Sequence, residues 1–474
     1  MAYQHGVYTS EIPTSVVPPV EALAGLPVVI GTAPIHLATS PKVNEPVLCY
    51  SYAEAVQSLG YLSNFESYTL CEFMKSHFTL FSVAPVVFIN VLDKEKHKVT
   101  VEEETLSVTE NEALLAVEGV LLESVKVKDE AGETLEVDTY ALSFNDAGGC
   151  VITLLEGSRS SIKVSYAHLD ASLVTANDII GGISQEGQAL GLELIHQVLP
   201  RFGLVPGQLV APKFSQNPSV AAVMASKAGT INGFFKCMAL VDVPVTEAAQ
   251  YTEVVAWKNK NNYIYENQIV CWPKVRLGED IYHMSTQLAG LICQTDANND
   301  GVPYVSPSNH NLQINGLVGK DNKEVILGID QANYLNGQGI VTAINFSGGW
   351  KLWGNRTACY PGVTDIKDAF IPVKRMFYYV AQTIIQSFWQ KVDGPITPRL
   401  VDTIVDSLNI WLNGMTAAEY ILGGRVEFLE AENTTTDIMD GKIKFHVYIT
   451  PPSPAREIQF ALEYDTAYLA ALFE

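Results

Sequence analysis

The chain has 474 residues, of which 47% are hydrophobic and 17% are charged, a composition typical of folded proteins and not of disordered ones. Its formal net charge of -22 argues against a nucleic-acid-binding surface, which would need a basic footprint. The length exceeds what a single hydrophobic core supports, so we expect about three domains.

The N-terminal sequence, the apolar runs and the cysteines indicate the cellular environment of the protein. The N-terminus Met1-Ala-Tyr-Gln-His-Gly6 lacks the basic and apolar regions of a signal peptide, and no apolar run approaches the roughly 18 residues of a membrane span. We therefore expect a soluble protein that is made in the cytoplasm and does not insert into a membrane. The seven cysteines show no Cys-x-x-Cys spacing, which predicts reduced core residues rather than a metal site or disulfides.

The first 22 residues form a segment of their own. The β-forming side chains Val7, Tyr8 and Ile12, together with Gly6, precede a run of prolines that keeps the following chain extended. This pattern predicts an N-terminal arm over residues 1–22, with a frayed terminus as the alternative.

Residues 23–93 and 173–345 predict an α/β domain. Short, continuous apolar runs alternate there with helical spacing, which is typical of a mainly parallel sheet with helices on both faces. The predicted strands are residues 28–31, 85–91, 208–211, 237–241 and 268–272.

The alternation lapses at residues 94–172. Short strands are predicted at residues 125–127, 135–137, 151–155 and 162–166. Turn signals separate them, which predicts a small β-sandwich or barrel inserted into the α/β domain. This insert carries 7 basic and 16 acidic residues, which predicts a solvated peripheral surface, with a cation or receptor site as the alternative.

The motifs of common enzymes are missing. The run Asp296-Ala-Asn-Asn-Asp300-Gly301 begins like a calcium loop, but Pro307 stands where a bidentate Glu is required, so a turn after a helix is expected. The sequence has no phosphate loop, dinucleotide fingerprint, nucleophile elbow or His-Glu-x-x-His pair. We therefore predict no enzyme activity, no metal and no cofactor, although His36, His196 and His283 are candidates for pairing with carboxylates.

Residues 346–474 predict an α+β C-terminal domain. Apolar residues at helical spacing predict helices over 366–391 and 397–414, the second ended by Gly414, and a capping box at Thr416 predicts a short third helix. Strands are predicted at 426–428 and 442–449, and the apolar residues of this sheet are Val426, Phe428, Ile443, Phe445, Val447 and Ile449.

A second arm is predicted at residues 455–474. Prolines at 451, 452 and 454 end the preceding strand, and alternation then resumes with Ile458, Phe460, Leu462 and Tyr464. This strand either folds back as a hairpin partner or adds to an open sheet edge of another molecule. Arms at both ends favour a polymer.

Several motifs resemble one family, the sheath proteins of contractile phage tails, R-type pyocins and, more distantly, type VI secretion sheaths. The resemblance is carried by Ile180-Gly-Gly-Ile183, Leu209-Val-Ala-Pro212, Ser306-Pro-Ser-Asn309, Asn333-Tyr-Leu-Asn-Gly-Gln-Gly-Ile340, Leu352-Trp-Gly-Asn-Arg-Thr357 and Pro451-Pro452. It covers nearly the whole chain except residues 94–172.

The resemblance implies a structural subunit of a sheath on a virion tail, assembled in the cytoplasm of a bacterial host. Subunits would stack as rings around a tail tube, between a baseplate and tail terminator proteins. The arms at 6–12 and 458–464 would complete sheets of neighbouring copies, and Lys374, Arg375 and Lys391 would face the tube. Contraction would proceed by subunit rotation without a nucleotide. A sheath of an extracellular injection system, a capsid protein and, remotely, an α/β enzyme remain alternatives.

Overall fold

In the computed structural model, which describes residues 24–157 and 159–472, the fold is built around an eight-stranded sheet. Its strands are β1 (Pro27–Gly31), β2 (Pro46–Cys49), β3 (Val86–Asn90), β4 (Gln208–Val210), β5 (Met238–Asp242), β6 (Gln268–Cys271), β7 (Ile340–Asn345) and β8 (Trp350–Trp353). The strand order is β2-β3-β1-β4-β5-β6-β7-β8. The six inner strands are parallel, and β2 and β8 pair antiparallel at the two edges. The predicted mainly parallel sheet is confirmed.

The inner strands are continuous apolar runs because the sheet is covered. Val28, Leu209 and Leu240 are fully buried, and helices pack against the strands that carry them. The α-helices of the described chain are Tyr52–Leu59, Thr69–Met74, Ala176–Ile180, Val198–Phe202, Pro218–Gly229, Tyr251–Lys260, Met284–Ala297, Ile329–Asn336, Ile366–Ala369, Ile371–Phe388, Pro398–Ala417 and Thr435–Met439.

Between residues 98 and 169 the chain forms two three-stranded antiparallel sheets. One contains Lys98–Ser107, Ser161–Leu169 and Lys126–Lys128, and the other contains Glu112–Leu115, Cys150–Leu154 and Tyr140–Phe144. They share an apolar cluster that includes Leu115, Ile152 and Val164. Residues 135–137 do not form the strand that we predicted, because Val137 begins a 3-10 turn and its side chain is exposed.

The remaining strands of the described residues form three small sheets. Residues 274–325 contribute a four-stranded sheet made of Lys274–Leu277, Asp280–Tyr282, Gly316–Val318 and Glu324–Val325. Two-stranded sheets are formed by Gly182–Ile183 with Ala189–Leu190 and by Gly423–Glu427 with His446–Thr450.

The C-terminal helices differ from the prediction in three respects. The first predicted helix breaks at Phe370, whose extended backbone pairs with Arg356. The second begins as predicted, with Thr397 capping Leu400 N, but it continues through Gly414 to Ala417. The predicted third helix at Thr416 is wrong, because the Thr416 hydroxyl donates to Leu412 O within the second helix. Its capping box is therefore the last turn of a helix and not a start.

The structure also shows the surroundings of the acidic, histidine and cysteine residues that the sequence analysis considered. Asp296 lies near the end of the helix Met284–Ala297, as expected for a turn after a helix. His283 Nδ1 lies 2.8 Å from Glu72 Oε2 with both side chains buried, His196 Nε2 lies 3.8 Å from Glu193 Oε2, and His36 is largely buried. All seven cysteines are free, and six of them are buried.

Two kinds of feature are absent from the described ranges. No group of three or more His, Cys, Asp or Glu side chains within 24–157 and 159–472 is arranged to hold a metal ion. No helix in the same part of the chain combines the length and apolar character needed to cross a membrane.

Candidate functional site

The C-terminal hairpin is the first part of the site. Gly423–Glu427 and His446–Thr450 pair antiparallel, with Val426 opposite Val447. The second strand begins four residues later than predicted, so Ile443 and Phe445 precede it, and Phe428 follows the first strand. The reason is Asn433, a buried side chain whose Oδ1 accepts from Lys444 N at 2.7 Å and whose Nδ2 donates to Lys444 O at 2.9 Å. These bonds use the backbone groups that a longer strand would pair.

One face of the hairpin is packed on the C-terminal helices. Val426 is buried, and Phe445, Val447 and Ile449 are partly buried against the same apolar cluster, which contains Leu408 and Leu412. The rings of Phe428 and Phe445 lie 5.4 Å apart, and Ile443 is half-buried. The hairpin is thus held on the helices by one face.

The two edges of the hairpin are unequal. On the outer edge of Gly423–Glu427, Asn409 Oδ1 accepts from Val426 N at 2.8 Å, and Asn409 Nδ2 donates to Val426 O at 3.1 Å. This side chain occupies the position that a third strand would take. The outer edge of His446–Thr450 has no strand beside it among the residues that the structure describes. The hairpin therefore has one blocked edge and one open edge.

The terminal segment, residues 455–472, leaves the hairpin through Pro451, Pro452 and Pro454. Residues 455–465 form no helix or strand. The side chains of Ile458, Phe460, Leu462 and Tyr464 are 70%, 85%, 97% and 76% exposed. Four large apolar side chains in alternation are thus presented to solvent, which is unusual for a segment with no partner. The matching N-terminal residues Gly6, Val7, Tyr8 and Ile12 lie outside the described residues.

The three basic residues predicted to face a tube occupy different environments. Lys374 is buried, with its Nζ 2.6 Å from Asp368 Oδ1. Arg375 is buried and forms a bidentate ion pair with Asp296. Burial raises the pKa of Asp296, and the Arg375 guanidinium opposes this shift. Only Lys391 of the three is exposed. Carboxylates neutralise both charges inside the chain, because Asp368 lies six residues before Lys374 and Asp296 belongs to the helix Met284–Ala297 of the α/β part.

A groove of about 770 Å³ lies where the terminal segment leaves the body. Four stretches line it, namely residues 304–309, 333–337, 353–360 and 452–457. Sequence pattern alone did not indicate that these distant stretches meet. Gly354 is one of the lining residues, and its φ of +141 is a conformation that other residues rarely adopt. A Cβ there would also lie 3.1 Å from Val341 Cα, so this position favours glycine.

Arg356 is the charged residue of the groove floor. Its guanidinium carbon lies 3.7 Å from the centre of the Phe370 ring and 4.2 Å from the centre of the Tyr360 ring. Burial lowers the pKa of Arg356. Sequence reasoning identified the Leu352-Trp-Gly-Asn-Arg-Thr357 motif, but it missed this stacking and the blocking role of Asn409. Neither contact could be found from the sequence, because Phe370 lies 14 residues after Arg356 and Val426 lies 17 residues after Asn409.

Comparison with known proteins adds to this geometry. No family model matches the chain. The tail sheath protein of Burkholderia phage BcepMu is 27% identical over an alignment of 490 positions that covers 99% of this chain and 98% of that protein. A putative prophage major tail sheath protein of Pseudomonas aeruginosa is 26% identical and covers 63% of this chain and 75% of its own length.

Solved structures show the same fold. The sheath of an extracellular contractile injection system, PVC, in its contracted state superposes with a TM-score of 0.59 at 14% identity, covering 99% of both chains. The contracted helical sheath of the anti-feeding prophage gives a TM-score of 0.58 at 15% identity, covering 98% of this chain and 100% of that chain. The resemblance predicted from the motifs is confirmed. The chain is similar to tail sheath proteins along nearly its whole length and shares the fold of these two contractile sheath subunits.

Proposed function

We propose that this chain is the structural subunit of a contractile phage tail sheath, which polymerises around a tail tube and contracts by subunit rotation to drive the tube through the host envelope. The observation that carries the proposal is the exposed, alternating terminal segment beside a hairpin with one open edge. The terminal segment can join a sheet only by pairing with an open edge. The open edge of the hairpin, in turn, can gain a strand only from a segment of this kind.

The energetics favour pairing of the terminal segment with a sheet edge. Burying a large apolar side chain contributes about 1.5–3 kcal/mol, so one face of residues 458–464 represents several kcal/mol for each subunit. Because copies repeat along a polymer, each subunit donates its C-terminal strand to one neighbour and accepts the same strand from another. Strand pairing of this kind preserves connectivity while the bodies rotate, so no nucleotide is needed.

The accepting edge is His446–Thr450 in this proposal, because Asn409 occupies the outer edge of Gly423–Glu427. Val447 and Ile449 of the accepting strand pack inward on the helices. A donated strand would extend this apolar face with Phe460 and Leu462. The N-terminal arm at 6–12 is proposed as a second donated strand on the strength of its β-forming pattern.

The domain roles follow from this arrangement. Residues 1–22 and 346–474 form the assembly domain, residues 23–93 and 173–345 the α/β domain, and residues 94–172 an inserted peripheral β domain. The boundary at 346 falls in the turn between β7 and β8, so the assembly domain begins on the edge strand of the large sheet. The partners proposed are other copies of the chain, a tail tube, a baseplate and tail terminator proteins, with Lys391 as the exposed candidate for a tube contact.

A sheath of an extracellular contractile injection system is a second candidate. It is favoured by the fold that the chain shares with the PVC and anti-feeding prophage sheaths over nearly its full length. Both candidates have the same mechanism of assembly, and they differ in whether the sheath stands on a virion or on a free particle.

Electron microscopy of the purified chain tests the proposal. The full chain is expected to form long tubular polymers, and a variant ending at residue 454 is expected to keep its melting temperature but stay unpolymerised. Phe460→Asp should also abolish polymers, whereas Gln459→Asp, on the other face of the same segment, should leave them. Tubular polymers from the truncated chain, or none from the full chain, would contradict the proposal.

A further inference from the structure

The guanidinium of Arg356 is held in one place from both sides. Thr357 N donates to Ala369 O at 3.3 Å and Ile371 N donates to Asn355 O at 3.0 Å, so the backbone of Arg356 runs beside that of Phe370. The rings of Phe370 and Tyr360 then fix the guanidinium plane. A long, flexible side chain has been ordered in the groove before any ligand arrives.

This ordered cation has no anion of its own. Among the described residues, no carboxylate lies within ion-pair distance of Arg356. The Arg356 side chain also makes no hydrogen bond to any described residue. The groove contains one carboxylate, Glu457, and Arg456 Nη2 engages it at 3.2 Å. An arginine presents five N–H donors in a planar fork that matches a carboxylate. The groove floor is therefore a preformed receptor for an anion.

We propose that Arg356 receives a carboxylate from an adjoining copy of this chain, in the groove where the terminal segment leaves the body. The inference rests on the proposed function, since it requires copies to meet in a polymer. Charge complementarity favours this occupant. The chain has 52 acidic and 30 basic residues, so a second copy presents an excess of carboxylates to any basic groove.

The position of the groove also favours a second copy. Residues 452–457 form one wall, so a neighbour that takes the terminal segment of this chain passes over the mouth of the groove. The carboxylate contact would then lie beside the donated strand. It would fix the direction in which that strand leaves the body, a quantity that strand pairing alone does not define.

The test replaces Tyr360 by the photo-cross-linker p-benzoylphenylalanine, which preserves an aromatic ring beside Arg356. Polymers are assembled from equal amounts of unlabelled and ¹⁵N-labelled protein, irradiated, digested and analysed by mass spectrometry. Cross-links that join one labelled and one unlabelled chain, on a peptide containing Asp or Glu, are the expected result. Cross-links that form only within one chain, for example to residues 452–457, would overturn the proposal.

Arg356 variants provide the second measurement. Arg356→Gln is expected to raise the concentration needed for polymerisation about tenfold or more, because a charged hydrogen-bonded pair is lost, and Arg356→Lys should be intermediate. Lys320→Gln, which removes a positive charge at an exposed position outside the groove, should leave that concentration unchanged. Equal polymerisation by Arg356→Gln would refute the carboxylate contact while leaving the sheath proposal standing. A wild-type chain that forms no polymer would refute both.

Discussion

Arg375 and Asp296 form a buried ion pair between the helix Ile371–Phe388 and the helix Met284–Ala297, with Nη1 and Oδ1 2.9 Å apart. The first of these helices belongs to the C-terminal part and the second packs on the large sheet through β5. The pair therefore ties the helices that carry the hairpin to the α/β part.

Breaking this pair from one side is expected to be costly. Arg375→Met leaves the Asp296 carboxylate buried without its cation, which should lower the free energy of unfolding by about 3–5 kcal/mol. The double variant Arg375→Met with Asp296→Leu should recover most of that loss, because no charge remains buried. Urea unfolding followed by tryptophan fluorescence measures both.

The control for this prediction is Lys442→Met. Lys442 pairs with Asp440 on the surface, so its removal should change the free energy of unfolding by less than about 1 kcal/mol. Equal losses in the free energy of unfolding for Arg375→Met and Lys442→Met would show that the buried pair stabilises the fold no more than the surface pair does.

His77 should make the fold sensitive to acid. Its ring stacks on Phe73 at 5.1 Å, neither ring nitrogen has a hydrogen-bond partner among the described residues, and burial lowers the pKa of His77 to about 3. Because the folded pKa lies below the unfolded value, the neutral ring contributes stability above about pH 6.5 that is lost as the pH falls toward 3. At pH 4.5 this loss is about 3 kcal/mol.

His77→Phe keeps the stacked ring and removes the titration, so its stability should fall less than that of the wild type between pH 7 and 4.5. His310→Phe, at an exposed position, is the matched control and should follow the wild type. Parallel pH profiles for the wild type and His77→Phe would contradict the assignment.

Asn409 is expected to stabilise the blocked edge of the hairpin. Asn409→Ala removes the partner of both Val426 N and Val426 O, which should cost about 1–3 kcal/mol and speed hydrogen exchange at the Val426 amide. Asn413→Ala, an exposed position on the same helix, should be neutral or slightly stabilising because alanine favours helices. Unchanged exchange at Val426 would show that the side chain does not hold this edge.

The β domain at residues 94–172 should be removable. Lys98 pairs with Leu169, so the two ends of the segment are neighbours and a short Gly-Ser linker can join them. The remaining chain is expected to keep its circular dichroism spectrum with a lower melting temperature, because Leu121 and Leu169 belong to the main apolar cluster. A chain that loses its cooperative melting transition after this excision would show that the domain is part of the main folding unit.

The sequence predicted local structure well where one rule dominated. The buried strands around Val28, Leu209 and Leu240 stood out because a parallel sheet covered on both faces needs continuous apolar runs. The start of the helix Pro398–Ala417 was equally clear, because a threonine cap precedes a proline.

Predictions failed where a distant side chain overrode a local signal. The strand predicted from residue 442 starts at His446 because Asn433 takes the backbone groups of Lys444. Lys374 and Arg375 lie on a helix whose basic residues we expected at a surface, yet their carboxylate partners make burial tolerable. Such partners cannot be assigned before the fold brings them together.

The central claim is that the terminal segment of one copy pairs with the hairpin of another. Carbodiimide cross-linking of polymers made from equal amounts of unlabelled and ¹⁵N-labelled chains tests it with native residues. The terminal segment carries Glu457, Glu463 and Asp465, and the exposed amines of Lys442 and Lys444 lie next to the accepting strand. We predict cross-links between these groups that join labelled to unlabelled chains in the proportion expected for random neighbours. Cross-links confined to chains of one label would show that the segment folds back on its own hairpin, and would contradict the account.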